Sequence, residues 1–207
     1  MALTSIIQQA AAQTPKPLLG AYDLMPKLKK GGLVIVMRHQ RGAILGRWDD
    51  FSRPWTECIA QRNLSAAGYA GAIETGQAFT ILNVPIGEVL SSPMCRTMET
   101  ARLVFDRVKT VEELGHATEV RSRTNETTAK DLMKIMDARV PQDNNDVIIT
   151  HGGNIYHAYQ QSISEGDMLF FERVSDKSIL IGKASAADFD WIANAELIKQ
   201  QQSPSEN

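Results

Sequence analysis

Three short segments carry side chains suited to gripping a tetrahedral anion. Arg38 and His39 close the apolar run GLVIVMRH, Arg96 lies within SSPMCRTMETA, and His151 ends NDVIITH just before Gly152 and Gly153. An arginine offers a planar fork of donors to phosphate oxygens, and a helix start adds backbone N–H groups. Two guanidiniums and two imidazoles brought to one place therefore imply a phosphate site. Gly152 and Gly153 admit two readings: plain strand terminators, or a backbone that lets the anion approach closely.

For these residues to meet, strands and helices must alternate along the chain. Residues 32–39 form a continuous apolar run after Gly31, as in a strand buried on both faces. Residues 64–82 carry helical spacing opened by Ser65 as N-cap. A second strand at 87–93 leads through Ser92 as cap and Pro93 as first-turn residue into the helix MCRTMETARLVFDRV. Residues 117–122 suit a third strand, and 129–140 an amphipathic helix with Met133 and Met136 beside Leu132 on its core face. Residues 145–153 read as a fourth strand, and DMLFFERV and SILIGKAS as a terminal pair. This order predicts a three-layer α/β/α sandwich with a mostly parallel central sheet over 31–196, after an N-terminal extension and helix (1–30) and before a flexible tail (197–207). Ligands of open α/β sheets sit outside the carboxyl ends of the strands, where Arg38, His39, Arg96 and His151 all fall.

Composition narrows the function classes. The 207 residues hold 22 Lys and Arg against 24 Asp and Glu, a formal charge of −2, with no basic cluster beyond Lys27, Lys29 and Lys30. That speaks against sequence-independent nucleic-acid binding. No apolar run approaches the ~18 residues of a membrane span. The start MALTSIIQQAAAQTPKP lacks the basic residues of a secretory signal, so the chain reads as cytoplasmic as written, or as periplasmic or secreted if a leader was trimmed. Two cysteines, Cys58 and Cys95, are too few for a disulfide scaffold and lack zinc spacing.

Taken in order, MRH at the first strand end, SSPMCRTMETA after the second and THGG after the fourth resemble the histidine phosphatase superfamily, whose fold is phosphoglycerate mutase-like. The resemblance runs from about Leu33 to Ile155. CIAQRNLSAAGYAGA (58–72) adds a likeness to a bacterial, often exported subgroup. It implies a hydrolase without metal or other cofactor, with His39 as nucleophile and Arg38, Arg96 and His151 holding the phosphoryl oxygens. The substrate expected is a small phosphorylated metabolite or sugar. In the segment after the third strand such proteins carry an acid that protonates the leaving group, which points to Glu126 in SRTNETT, with Glu112, Glu113 and Glu119 as competitors.

One departure stands out. The family's motif usually continues with glycine, whereas Gln40 follows His39 here; its amide is a candidate contact to the anion, and the change implies altered specificity or reduced activity. Two other functions stay open beside the phosphatase: a non-catalytic phosphate-binding or regulatory protein, and a phosphoglycerate-type mutase. Residues 41–57, with Trp48, Asp49, Asp50, Phe51 and Trp55, form either a substrate lid or a structural flap, and Arg47 or Arg53 is placed to reach the rest of a substrate. His116 and His157 belong to no motif and read as surface or packing residues. The subgroup's cysteines imply a Cys58–Cys95 bridge; the alternative is two buried thiols.

Overall fold

The computed structural model describes residues 17–43 and 48–202. Its strands are β1 (Leu33–Arg38), β2 (Ile86–Ser91), β3 (Lys109–Thr110), β4 (Asn145–Thr150), β5 (Met168–Val174) and β6 (Lys177–Ala184). They form one sheet in the order β3-β2-β4-β1-β5-β6. β1 to β4 pair in parallel, and β5 runs antiparallel to both β1 and β6. The helices are α1 (Ala21–Lys30), α2 (Ala66–Ile81), α3 (Cys95–Phe105), α4 (Asn125–Asp137), α5 (Gly152–Tyr159) and α6 (Ala186–Gln202).

The unbroken apolar runs make sense once both faces of the sheet are covered. Successive side chains of a strand point to opposite faces. Ile35 and Met37 of β1 accordingly join Val147 and Ile149 of β4 under α1, α2, α3 and α6, through Leu24, Leu28, Phe79, Val104 and Phe189. Val34, Val36 and Ile148 face the other way, onto Leu132 and Met136 of α4 and Ile155 of α5. The three-layer sandwich expected from the sequence is the architecture found. Ser65 caps α2 as expected, its Oγ accepting from the Gly68 N–H at 3.0 Å. Gly68 itself is dictated by contact: a Cβ there would lie 2.1 Å from the Arg41 carbonyl oxygen, so the first turn of α2 rests on the backbone just past His39.

Several elements differ from the sequence reading. α3 is capped by Met94, because the Ser92 hydroxyl is turned to His151 and reaches the Met94 N–H only at 3.4 Å. Residues 117–122 are not a strand. They hold a 3-10 turn at Glu119–Arg121, closed by a Thr118–Arg123 bridge with Ser122 in the left-handed region, while Lys109–Thr110 occupies the sheet edge. α4 starts at Asn125, where the Thr124 hydroxyl accepts from the Thr127 N–H. Met133 is 44% exposed, since Leu132 and Met136, four residues apart, take the core stripe. α1 belongs to the core through Leu24 and Leu28, and α6 carries helix through Gln202 into the segment expected to be a tail. The expected signal-region features at 1–16 and the last five residues lie outside the described residues.

One sheet edge is partly paired and the other is short. Leu19 lies along the free side of β6, donating to the Ile181 carbonyl at 2.9 Å and accepting from the Lys183 N–H at 3.0 Å. The opposite edge strand, β3, is two residues long. A disulfide joins Cys58, in a 3-10 turn at Cys58–Ala60, to Cys95 at the start of α3.

Candidate active site

Arg38, His39, Arg96 and His151 meet at the carboxyl ends of β1 and β4, beside the first turn of α3. His39 is 2% exposed, and its backbone N–H donates to the Thr150 carbonyl, which anchors it to β4. Its Nδ1–H donates to the Gln40 carbonyl at 2.8 Å. The lone pair is thereby left on Nε2, which faces Arg96 Nε at 3.3 Å. Arg96 is divided among four partners: Nε at His39, Nη2 3.5 Å from His151 Nδ1, and Nη1 donating to Asp49 Oδ1 at 2.8 Å and to the Arg62 carbonyl at 3.3 Å. A guanidinium only donates, so His151 Nδ1 accepts and its Nε2–H donates to Ser92 Oγ at 2.8 Å. The two imidazole rings stand 5.6 Å apart.

Arg38 completes the group. Its Nη1 donates to the Ile163 carbonyl at 2.9 Å and its Nη2 pairs with Glu165 at 3.4 Å. Its buried Nε has no partner in the protein. A Cβ on Gly152 would lie 3.1 Å from that nitrogen, a tight contact to which the Arg38 guanidinium would have to yield by a few tenths of an ångström. Burial, then the positive charge of Arg96, holds both His39 and His151 well below the ordinary imidazole value of 6.5. Both rings are therefore neutral at neutral pH, and His39 presents an unprotonated Nε2 to a site built from two guanidiniums.

Asp49, Glu165 and His116 contribute from outside the sequence motifs. Asp49 takes Arg96 Nη1 and also accepts from the Arg62 N–H at 2.9 Å. Glu165 accepts from Arg62 Nη2 at 2.8 Å, from Arg38 Nη2 and from the Gly42 N–H at 3.1 Å, which ties both arginines to the strand-end loop. His116 stands against His151, ring centroids 5.2 Å apart, and against Phe51 at 5.6 Å. These pairings join residues from distant parts of the chain, and local spacing carries no trace of them.

Gln40 does not point at the anion site. Its amide donates to Thr75 Oγ1 at 3.1 Å and toward the Gly71 carbonyl at 3.4 Å, wedged between α2 and Gly166. Glu126 also stands apart from the expected role. It is exposed in the first turn of α4 and bonded to Lys130 at 2.6 Å, which lowers its carboxyl below the usual range, the opposite of what a proton donor needs. Glu112, Glu113 and Glu119 are exposed on 3-10 turns, and His157 is exposed on α5 beside Tyr156. In the expected lid, Trp48 is 89% exposed, Asp49 reaches Arg96, and Phe51 and Trp55 pack edge to face with Arg121 4.0 Å over the Trp55 ring. Arg53 pairs with Glu57, and Arg47 lies outside the described residues. Among the described residues no three His, Cys, Asp or Glu side chains cluster to hold a metal ion.

The sheet order and the helix layers define a phosphoglycerate mutase-like α/β fold. Solved structures agree. The protein histidine phosphatase SixA complexed with tungstate is 16% identical and superposes with a TM-score of 0.55, covering 75% of this chain and 98% of that one. A mycobacterial glucosyl-3-phosphoglycerate phosphatase, 12% identical, gives 0.56 over 75% of this chain and 100% of that one. Phosphoserine phosphatase from Entamoeba histolytica with 3-phosphoglyceric acid, 15% identical, gives 0.53 over 74% and 96%. No protein-family model and no curated protein matches the sequence.

Proposed function

We propose that this protein is a phosphomonoesterase that hydrolyses a small phosphorylated metabolite or sugar through a phosphohistidine on His39. One observation carries the reading: His39 Nε2, unprotonated and buried, faces a cradle made by Arg96, Arg38 and His151. In the first step Nε2 attacks phosphorus in line with the leaving oxygen; in the second, water attacks the phosphohistidine and releases phosphate. The guanidiniums neutralise charge on the equatorial oxygens throughout, which supplies the electrostatic stabilisation without a metal. The phosphatase names of the structural relatives fit this chemistry. The observation that favoured a binding-only protein, glutamine after the nucleophile, loses force because Gln40 spends its amide on Thr75 and Gly71.

The test is hydrolysis of p-nitrophenyl phosphate in the presence of EDTA by wild type and His39→Ala, with acid-labile phosphate trapped on the protein. EDTA-resistant turnover, lost in the variant along with the trapped phosphate, is expected. Phosphate binding by wild type without turnover would overturn the reading. A screen of phosphorylated metabolites then ranks substrates by kcat/KM.

A further inference from the structure

A proton must reach the leaving oxygen when the ester bond breaks. Of the acids after β3, Glu126 is exposed and bonded to Lys130, and Glu112, Glu113 and Glu119 are exposed. Another titratable group stands beside His151. We infer that His116 is the general acid of the first step and the general base of the second, an inference that rests on the phosphatase reading above.

Placement is the argument. His151 is flanked by two imidazoles, His39 at 5.6 Å and His116 at 5.2 Å between ring centroids. An in-line displacement needs a nucleophile on one side of the phosphoryl group and a proton donor on the other, with the groups that hold the equatorial oxygens between them. His39 and His116 each stand beside His151, which puts a nucleophile, a group to hold the equatorial oxygens and a proton donor within one cluster. The tautomer suits the task as well: His116 Nδ1–H donates to the Ala117 carbonyl at 2.8 Å, so Nε2 is the nitrogen that gains and loses the proton.

The turn that carries this histidine is held from beneath by buried bonds. Thr150 Oγ1 donates to the Leu114 carbonyl at 2.9 Å, and Asn154 Nδ2 donates to the Leu114 and Gly115 carbonyls at 3.2 and 3.0 Å. Thr150 and Asn154 are the neighbours of His151 on β4 and α5, so one short stretch of chain positions both histidines. A Cβ on Gly115 would meet the Glu112 carbonyl at 3.0 Å and the Trp55 ring at 3.4 Å, which shows how closely the backbone passes before His116. Phe51 packs against the His116 ring, centroids 5.6 Å apart.

The proposed step balances. His39 Nε2 bonds to phosphorus, the phosphorus–oxygen bond to the alcohol breaks, and the alkoxide takes the Nε2 proton of the His116 imidazolium. Neutral His116 then removes a proton from water as that water attacks phosphorus and the phosphorus–nitrogen bond breaks. Phosphate leaves, and both histidines return to their starting states.

Leaving-group dependence tests it. An alkyl alcohol leaves poorly without a proton, whereas p-nitrophenolate leaves well without one. In His116→Gln and His116→Asn, each checked for an unchanged thermal midpoint, kcat on glycerol phosphate is expected to fall about 10²- to 10³-fold. On p-nitrophenyl phosphate it is expected to fall less than about threefold. Equal loss on both substrates would make His116 a structural or binding residue and overturn the inference, as would no loss on either. Loss of alkyl phosphate turnover in Glu126→Gln, with His116→Gln active, would also overturn it. A wild-type protein that neither hydrolyses p-nitrophenyl phosphate nor traps phosphate on His39 would instead sink the phosphatase reading itself.

Discussion

Asp49 and Arg96 form a 2.8 Å ion pair across 47 residues of chain, the carboxylate coming from the flap and the guanidinium from the first turn of α3. Arg96 is 2% exposed, so its charge relies on this partner. Burial drives the Arg96 guanidinium down from its ordinary value and Asp49 opposes that shift. Asp49 therefore aims the nitrogen fork that faces both His39 and His151.

Removing that carboxylate leaves a buried cation without its counter-charge, a change that costs about 3 to 5 kcal/mol in comparable buried pairs. Asp49→Ala is expected to lose stability of that order in a denaturant titration. Asp49→Asn keeps an acceptor and is expected to lose less, with kcat/KM on p-nitrophenyl phosphate down about tenfold, the weight of one charge-assisted hydrogen bond.

Stability should fall on acidification. His39 and His151 are held well below 6.5 in the folded chain, so as pH drops through about 6.5 the unfolded chain takes up protons that the folded one refuses. The unfolded state then binds more protons, and stability declines from there toward the lowered folded values. Thermal midpoints measured between pH 7.5 and 5.5 are expected to drop steadily. The drop should be shallower in His151→Gln; an equal slope would remove these groups as its cause.

The Cys58–Cys95 bridge closes a loop of sequence separation 37. In the chain-entropy picture such a loop stabilises by about 3 to 4 kcal/mol. Cys58→Ser combined with Cys95→Ser is expected to lose that much in unreduced protein, and denatured wild type is expected to show no free thiol without reductant. A double variant as stable as wild type would mean the cross-link adds nothing to folding.

Gly152 and Gly153 are adjacent but unequal. A side chain on Gly152 meets the Arg38 guanidinium at 3.1 Å, whereas one on Gly153 meets nothing within 4 Å. Gly152→Ala is expected to raise KM at least fivefold by displacing Arg38, and Gly153→Ala to change it less than twofold. The two KM values decide between a requirement for glycine and an ordinary helix start.

What the sequence shows and hides follows from where the information lies. β1 and β4 announce themselves because a strand covered on both faces carries an unbroken apolar stretch, Leu33–Met37 in one and Val147–Ile149 in the other, and Ser65 because a cap is a local bond. The Arg38–His39, Arg96 and His151 cradle is legible for a related reason, since each residue sits at a strand end or helix start that its neighbours mark. Asp49, Glu165 and His116 have no such marker. Their roles come from contacts to Arg96, Arg62 and His151, made only once flap, loop and sheet are packed. Residues 117–122 read as a strand from the sequence, yet Val120 is 64% exposed and the chain turns back at Thr118 instead. Gln40 misleads differently: its type suggests an anion contact, and the proximity of Gly71 and Gly166 draws it away.

The sheet edges bear on how the protein behaves at high concentration. An open strand offers a row of unpaired N–H and C=O groups on which a second chain can build. Leu19 takes two groups of that row on β6, at Ile181 and Lys183, and β3 presents only Lys109 and Thr110, a length and charge that make a poor template. Leu19 thereby shortens the stretch of β6 against which another chain can add a strand.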